Sequence, residues 1–520
     1  MISNIVAFLG SVTMSSITPT VWPYMKKIDV NTPETLYGFI RGLYALGNII
    51  FSMLSGWLSN KASDTRPALI IGKFVLIGAA LSYLLIEVFH SAYVYVFIAF
   101  EFLLGTSVGI CNVYRTHIAM ASTEADRSKA FGITQFATST GLIAGPLLQA
   151  AFSQIKYPGI LLFAGIHFNL YTAPIFLAAV TSAIGIYLLF CHFDGQMRIR
   201  DIPAPVYTED PTLLTTDEDT FLEEDKNNTK IEKEKSKNLP KYDILAVIVL
   251  ILVKVTSELV ILNLATVCPP YMMTAFEWNS EETIIVQTVL MFSIGAVSIL
   301  FALSYIFFKM GQRINERTAL AGALLLFLIF YAITYPWEYW PERISYQHVK
   351  GTPAPANRTM ALDPVLRAVV AEALKPGSQI DIVGCNPDFA WCETTPRVNV
   401  WFYNIVSIVA IGIGLPLIHI NLDILYSKVL GPIKQGTLQG VFVATGQILN
   451  VIGPVIFSQL YTFYGPKILW GLEIMVSGTA LVMFFVFWKR VIPYSEMIAK
   501  NNKSSNIEVT KYPDKPIIKP

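Results

Sequence analysis

The chain has 520 residues, of which 53% are hydrophobic and only 14% charged, with a net charge of +1 at pH 7. So little charge excludes a water-solvated globular enzyme of this size, and the near-zero balance excludes a basic nucleic-acid footprint. No Cys-x-x-Cys, paired-histidine spacing, phosphate loop or nucleophile elbow occurs in its required context, so no metal site, cofactor site or catalytic constellation is expected.

In chain order, apolar runs of about 20 residues, enough to cross about 30 Å of hydrocarbon, predict twelve membrane-spanning helices. Six cover 4–23, 37–59, 69–89, 93–114, 130–152 and 170–191; six more cover 244–267, 283–308, 319–335, 398–420, 438–463 and 468–487. The first run lacks the basic flank and cleavage pattern of a secretory signal and is read as a helix. The expected organisation is an N-terminal six-helix bundle (1–193), a linker (194–243), a C-terminal six-helix bundle (244–490) with a long polar loop (336–397), and a tail (491–520). Linker and tail are polar and poor in large apolar residues, so both are expected to be disordered.

Short-loop lysines and arginines set the orientation, because they are retained in the cytosol. Lys61, Arg66, Arg115, Arg127, Lys129, Lys309, Arg313, Arg317, Lys428 and Lys434 fall on one side, against Lys26, Lys27, Lys156 and Lys467 on the other. Both termini are therefore expected in the cytosol, with the 336–397 loop lumenal or extracellular. There Asn357-Arg358-Thr359 is a glycosylation acceptor, and Cys385 with Cys392 is placed to close a small disulfide loop. In the cytosolic linker, Glu209 followed by Leu213-Leu214 fits an acidic-dileucine signal of the kind read by sorting adaptors.

The two halves echo one another 308 residues apart. Gly132 is followed by Gly145-Pro146, and Gly440 at the same spacing by Gly453-Pro454. Small residues on one face of a lipid-embedded helix let a neighbour approach closely, and proline removes a backbone donor. Gly141, Gly145, Pro146, Gly453 and Pro454 are therefore expected to be packing and bending points.

Eight ionisable residues interrupt the runs: Arg41, Lys73, Glu87, Glu101, Lys254, Glu258, Asp423 and Glu473. Each is costly in a membrane unless it meets water or a partner. Lys73, Glu87, Asp423 and Glu473 lie near run ends and are read as snorkelling side chains. Arg41, Glu101, Lys254 and Glu258 lie deeper and are assigned to a transport cavity. Lys254 and Glu258 share a helix face, either as a structural ion pair or with Glu258 taking up and releasing a proton. Arg41 and Glu101 would neutralise one another at equal depth.

Twelve spans in a repeat, the Gly141-Leu142-Ile143-Ala144-Gly145-Pro146 run, and Gly56 with Asn60-Lys61 before a short inner loop resemble the major facilitator superfamily. Asn60 replaces the usual aspartate, and a partial second copy of the loop motif stands at Arg313 to Arg317. The family's span-four arginine is matched by Glu101. Val21-Trp22-Pro23-Tyr24, the segment from Cys385 to Cys392, and Leu425-Tyr426-Ser427-Lys428-Val429-Leu430-Gly431-Pro432 resemble the lysosomal branch of the superfamily linked to neuronal ceroid lipofuscinosis. That resemblance implies a lysosomal or endosomal membrane protein that moves a solute or anion, with chloride the proposed activity. It places Glu258 where the branch keeps an acidic residue, whereas Arg41 and Lys254 have no evident counterpart. The branch carries its dileucine signal in an N-terminal tail that this chain lacks, so sorting would need the linker signal or another route.

The resulting expectation is an all-α membrane protein of two six-helix bundles that moves a small solute or anion, with proton coupling a candidate, by alternating access. A chloride-permeable channel and a non-transporting receptor or scaffold are the alternatives. Membrane lipid is the expected surrounding, and neither nucleic acid nor a cofactor is expected.

Overall fold

The computed structural model describes residues 2–29, 34–88, 92–124, 126–152, 154–155, 157–163, 165–197, 241–308, 310–373 and 382–500. Among them, ten helices are long and apolar enough to cross a membrane. In the first half these are α1 (Ile2–Ile28), α2 (Glu34–Ala62), α3 (Arg66–Leu84), α4 (Tyr93–Ala121) and α6 (Ala173–Cys191), with α5 (Arg127–Phe152) packed among them. The serines, threonines and glutamines of α5 keep it below the apolarity of the others.

The second half contains α7 (Ile244–Phe276), α8 (Ser280–Phe307), α9 (Glu316–Thr334) and α10 (Val400–Leu430). A final 51-residue helix, Gly436–Val486, turns at Gly465, where φ is +73°. That turn divides it into α11 (436–464) and α12 (466–486), each at least as long as the roughly 20 residues a crossing needs. The described segments thus make twelve crossings.

Local chemistry sets where the helices begin. The Asp243 carboxylate accepts from the Leu245 N–H at the start of α7, and Asn279 with Glu282 forms a reciprocal capping box on α8. Asn315 and Asn399 cap α9 and α10 by accepting from the Arg317 and Phe402 N–H groups. Several helices run past the apolar windows: α1 continues through Pro19 and Pro23 to Ile28, and α7 continues to Phe276. Hydropathy marks the part that needs lipid, whereas the hydrogen-bond ladder persists into polar surroundings.

The packing repeats. Helix α1 lies against α5 as α7 lies against α11, α2 against α4 as α8 against α10, and α3 against α6 as α9 against α12. The halves meet along two further pairs, α2 with α11 and α5 with α8, which are also related by the repeat. Each half has its own core, one built on Tyr24, Tyr83, Phe97 and Phe100 and the other on Tyr271, Phe327, Tyr403 and Trp470.

The glycines of the two echoing motifs take matching places. An added Cβ on Gly141 or Gly145 would meet Ser11 or Ser15 of α1, and one on Gly453 would meet Leu262 of α7. Gly132 faces Tyr305 of α8, and Gly440 faces the Ser52 carbonyl of α2, so the first glycine of each motif looks across to the other half. Pro146 and Pro454 both lie inside continuous helix.

Three expectations are corrected. The linker is not free at its ends: the Thr65 N–H donates to the Gly195 carbonyl at 2.9 Å, the Met197 N–H donates to the Ser63 carbonyl, and Asp243 caps α7. Residues 198–240, with Glu209, Leu213 and Leu214, lie outside the described residues. The tail is helical over 494–500, where Tyr494 is buried against Gly431. Three of the four charges read as snorkelling are buried: Lys73, Asp423 and Glu473 are 3%, 6% and 0% exposed. Glu87 is instead bonded by Tyr24, Asn169 and the His167 backbone. Asp423 is carried inward because α10 runs on to Leu430, past the apolar window that ends at 420, whereas Lys73 and Glu473 lie inside their windows on faces covered by neighbouring helices.

The 336–397 loop is a folded cap. The Cys385–Cys392 disulfide, with Cα atoms 6.0 Å apart, closes the turn that carries Trp391, whose ring lies over Gly465 and whose Nε1 donates to the Thr462 carbonyl. Arg397 lies 3.6 Å from Glu277, the left-handed residue that ends α7. Lys467 binds Glu338 at 2.5 Å and holds that exposed carboxyl below its ordinary range, so this tie weakens only as pH falls through the lowered value. Asn357 is exposed and caps a short helix, accepting from the Met360 N–H at 3.0 Å.

Gly105 of α4 supplies a test of the close-packing argument, since a Cβ there would sit 2.0 Å from the Tyr44 carbonyl oxygen of α2. Gly105→Ala is expected to destabilise by about 1–3 kcal/mol, the usual range for overpacking. Gly78→Ala, where an added Cβ meets nothing within 4 Å, is expected to be neutral. Thermal unfolding of the purified protein in detergent measures both, and equal melting of the two variants contradicts the packing account.

Candidate transport pathway and its gate

Two faces of the bundle are distinguished by what they carry: the loop face holds the 336–397 cap, and the terminal face holds the ends of α1 and α12. Three ion pairs lie along the interior at different depths. Nearest the loop face, Arg41 of α2 reaches Glu101 of α4 at 3.1 Å, with the carboxylate fully buried and the guanidinium over the Tyr44 ring.

Near mid-depth, about 15 Å along α7 from its start at 1.5 Å per residue, Lys254 donates to Glu258 at 2.6 Å. Both contact α11 where Gly446 lacks a side chain: a Cβ there would stand 2.9 Å from Glu258 Cγ and 3.3 Å from Lys254 Cε. The Lys254 ammonium also lies 5.9 Å from the Phe442 ring centre. Arg115 of α4 and His419 of α10 are near enough to act on the Glu258 charge. Glu258 therefore faces the other helices of the interior rather than the lipid.

Toward the terminal face, Arg115 of α4 binds Asp423 of α10 at 2.5 Å, across the boundary between the halves. The two residues are 308 apart, the spacing of the echoing glycine motifs, so they occupy equivalent positions of the repeat. A contact between equivalent positions lies on the pseudo-two-fold axis, where like residues would meet like. Here one copy is a base and the other an acid. A small cavity lined by Tyr114, Gln135, Thr138 and His419 adjoins the pair.

More polar contacts join the halves on this face. Asn60, at the end of α2, accepts from the Gly436 N–H at 2.7 Å, at the first turn of α11. Its amide nitrogen donates to the Lys434 carbonyl at 3.1 Å and to Thr437 Oγ1 at 2.9 Å. An aspartate would only accept; asparagine uses both ends of its amide. Backbone meets backbone beside it, since a Cβ on Gly56 would stand 2.3 Å from the Gly436 carbonyl oxygen. Lys434 also donates to Ser63, and Ser495 donates to Glu124 at 3.0 Å. Lys61 lies over the Trp57 ring on its own helix. In the second copy of the motif, Arg317 stacks over Trp488 and lies 3.6 Å from Glu496, while Arg313 ends a single helical turn.

The sequence profile described as Major Facilitator Superfamily matches residues 4–342, most of the chain. The chain belongs to the major facilitator superfamily. This superfamily member is 26% identical over 489 residues to a Xenopus laevis protein, major facilitator superfamily domain-containing protein 8, covering 94% of this chain and 90% of that one. Among solved structures, the proton:xylose symporter XylE bound to 6-bromo-6-deoxy-D-glucose superposes with a TM-score of 0.60 at 14% identity, over 95% of this chain and 96% of that one. The human organic anion transporter MFSD10 superposes with a TM-score of 0.57 at 15% identity, over 93% and 98%. The protein is thus a multi-pass membrane transporter of this fold.

Reading the sequence brought together Arg41 with Glu101 and Lys254 with Glu258, but it missed Arg115, Asp423 and His419. Arg115 counted only as a loop cation and Asp423 as a snorkelling end residue. The 308-residue offset, applied to charged positions as well as to glycines, is the signal that pairs them.

Arg115→Asp and Asp423→Arg are each expected to destabilise by roughly 3 kcal/mol, the low end for breaking a buried pair. The double exchange is expected to recover much of the loss. Melting temperatures of the three variants report this, and a double variant no better than the worse single one contradicts a direct pairing.

Proposed function

We propose that this transporter moves a small solute or anion across a lysosomal or endosomal membrane by rocking its two six-helix bundles about the charged interior. The Arg115–Asp423 pair carries the reading: it ties the halves together on the terminal face at equivalent points of the repeat. Alternating access in repeat-built transporters is a rocking of one bundle against the other around a fixed central site. In this mechanism the terminal face opens by parting Arg115 from Asp423 and Asn60 from the start of α11. The glycine contacts between α1 and α5 and between α7 and α11 let helices slide without side chains in the way.

Glu258 is the residue proposed to couple flux to protons. Lys254 neutralises it in the state described, and a protonated Glu258 would release Lys254 to meet an anion in the interior. The Arg41–Glu101 pair is proposed as a gate toward the loop face. Both termini are assigned to the cytosol from the loop charges, which places the cap, the Asn357 acceptor and the disulfide in the lumen. The linker signal at Glu209, Leu213 and Leu214 is proposed to be read by sorting adaptors. Chloride is the first anion to test, and the proton-coupled and organic-anion transport named for the structural neighbours suggests the wider panel.

The experiment is flux of chloride and of labelled organic anions and neutral solutes in vesicles holding the purified protein, over a series of imposed pH gradients. Glu258→Gln is expected to lower flux at least about tenfold, equivalent to about 1.4 kcal/mol on a rate, and to flatten its pH dependence. Unaltered pH dependence at normal expression contradicts the role of Glu258. A chloride current that rises without saturation points instead to a channel-like anion path.

A further inference from the structure

We propose that the N-terminal bundle contains a separate binding chamber for a small organic monoanion, with the Lys73 ammonium as its charge partner. A cavity of about 220 Å³ lies among α1, α3, α4 and α5, and none of the six residues of the pathway's ion pairs lines it. Its volume exceeds the roughly 30 Å³ share of one water several-fold. Lys73, on α3, lines it and is only 3% exposed.

The fold makes room for this side chain from two directions. Gly185 of α6 flanks its stem: a Cβ there would stand 3.3 Å from Lys73 Cε and 3.5 Å from Cδ. At the tip, a Cβ on Gly10 of α1 would stand 4.0 Å from Nζ. No acidic side chain lines the cavity, and among the described residues no carboxylate forms an ion pair with Lys73. A buried ammonium without a counter-charge is strongly disfavoured in a bilayer. An anionic ligand supplies the missing charge.

The walls specify the rest of the ligand. The Ser11 hydroxyl donates to the Thr138 carbonyl at 2.8 Å, that of Ser107 to the Gly72 carbonyl at 2.8 Å, and that of Thr13 to the Leu9 carbonyl at 2.9 Å. Their protons are already used, and the Asn112 amide donates to Asn48 and Ser52, so Lys73 is the one charged donor on the wall, beside the Cys111 thiol and the Tyr114 hydroxyl. Val6, Ala7, Met14, Leu76 and Val108 make the remaining surface mainly apolar. The complementary molecule has one negative group on an apolar body. Tyr114 and Thr138 line both this chamber and the small cavity beside Arg115 and Asp423, so the chamber sits one side chain away from the pathway.

Binding of benzoate to the full-length protein in detergent, measured by equilibrium dialysis, tests the assignment independently of transport. The native protein is expected to bind benzoate saturably, near one per chain, and the uncharged isostere benzamide at least tenfold more weakly. Lys73→Met, which keeps the stem and removes the charge, is expected to lose at least tenfold in affinity, and Lys73→Arg to retain most of it. Gly10→Leu, which fills the chamber without altering the charge, is expected to abolish binding at an unchanged melting temperature, and serves if the Met variant fails to fold. Equal binding of benzamide, undiminished binding by well-folded Lys73→Met or Gly10→Leu protein, or displacement by chloride at concentrations equal to benzoate's would overturn the proposal. Loss of flux in Glu258→Gln with benzoate binding intact separates this chamber from the transport reading.

Discussion

Close contact between helix backbones at glycines is the constraint on which this architecture depends. Lipid supplies no hydrophobic force between helices, so cohesion comes from packing and from polar contacts made at short range. Gly105 lets α4 touch the Tyr44 carbonyl of α2, Gly145 lets α5 touch Ser15 of α1, and Gly56 with Gly436 brings two backbones together across the halves. These contacts fix which helices are neighbours within each bundle, and the repeat then fixes the neighbours of the other. A side chain at any of these points would push the helices apart and take the buried ion pairs with them.

Two kinds of charge stand out among those of the interior. Arg41 with Glu101, Lys254 with Glu258 and Arg115 with Asp423 each satisfy one another, so the bundle carries them without a net buried charge. Only the last pair joins the two halves, and it does so with opposite charges at equivalent positions of a duplicated chain. Duplication alone would have left two like residues facing each other across the axis. Opposite charges at these two positions make the contact cohesive, with a strength that depends on the halves staying in register. Lys73 is of the second kind, a cation whose surroundings offer space instead of a carboxylate.

The cap on the loop face is tied chiefly to the second half. Trp391 covers the Gly465 turn, Lys467 holds Glu338, and Glu277 gathers Arg397 and Ser345 at the end of α7. Its disulfide closes the turn of a cap seated on α7, α11 and α12.

Much of the fold was legible in the residues themselves. Crossing number follows from apolar run length, because backbone groups in lipid must be satisfied within the segment, and the duplication follows from two glycine-proline motifs at one offset. The pairing of Lys254 with Glu258 is local and reads directly from a helical turn. What the linear order conceals is depth and facing. Lys73, Asp423 and Glu473 looked like residues near a water-exposed end, yet all three are buried, Asp423 because α10 outruns its apolar window and the other two because neighbouring helices cover their faces. Composition, apolar run length and the repeated glycine-proline motif established a lipid-solvated, twice-built helical bundle, since all three are read along the chain without knowing which faces meet. The partners of Arg115 and Asn60, and the chamber around Lys73, were decided by tertiary packing, because they join helices whose separation in sequence says nothing about which faces meet.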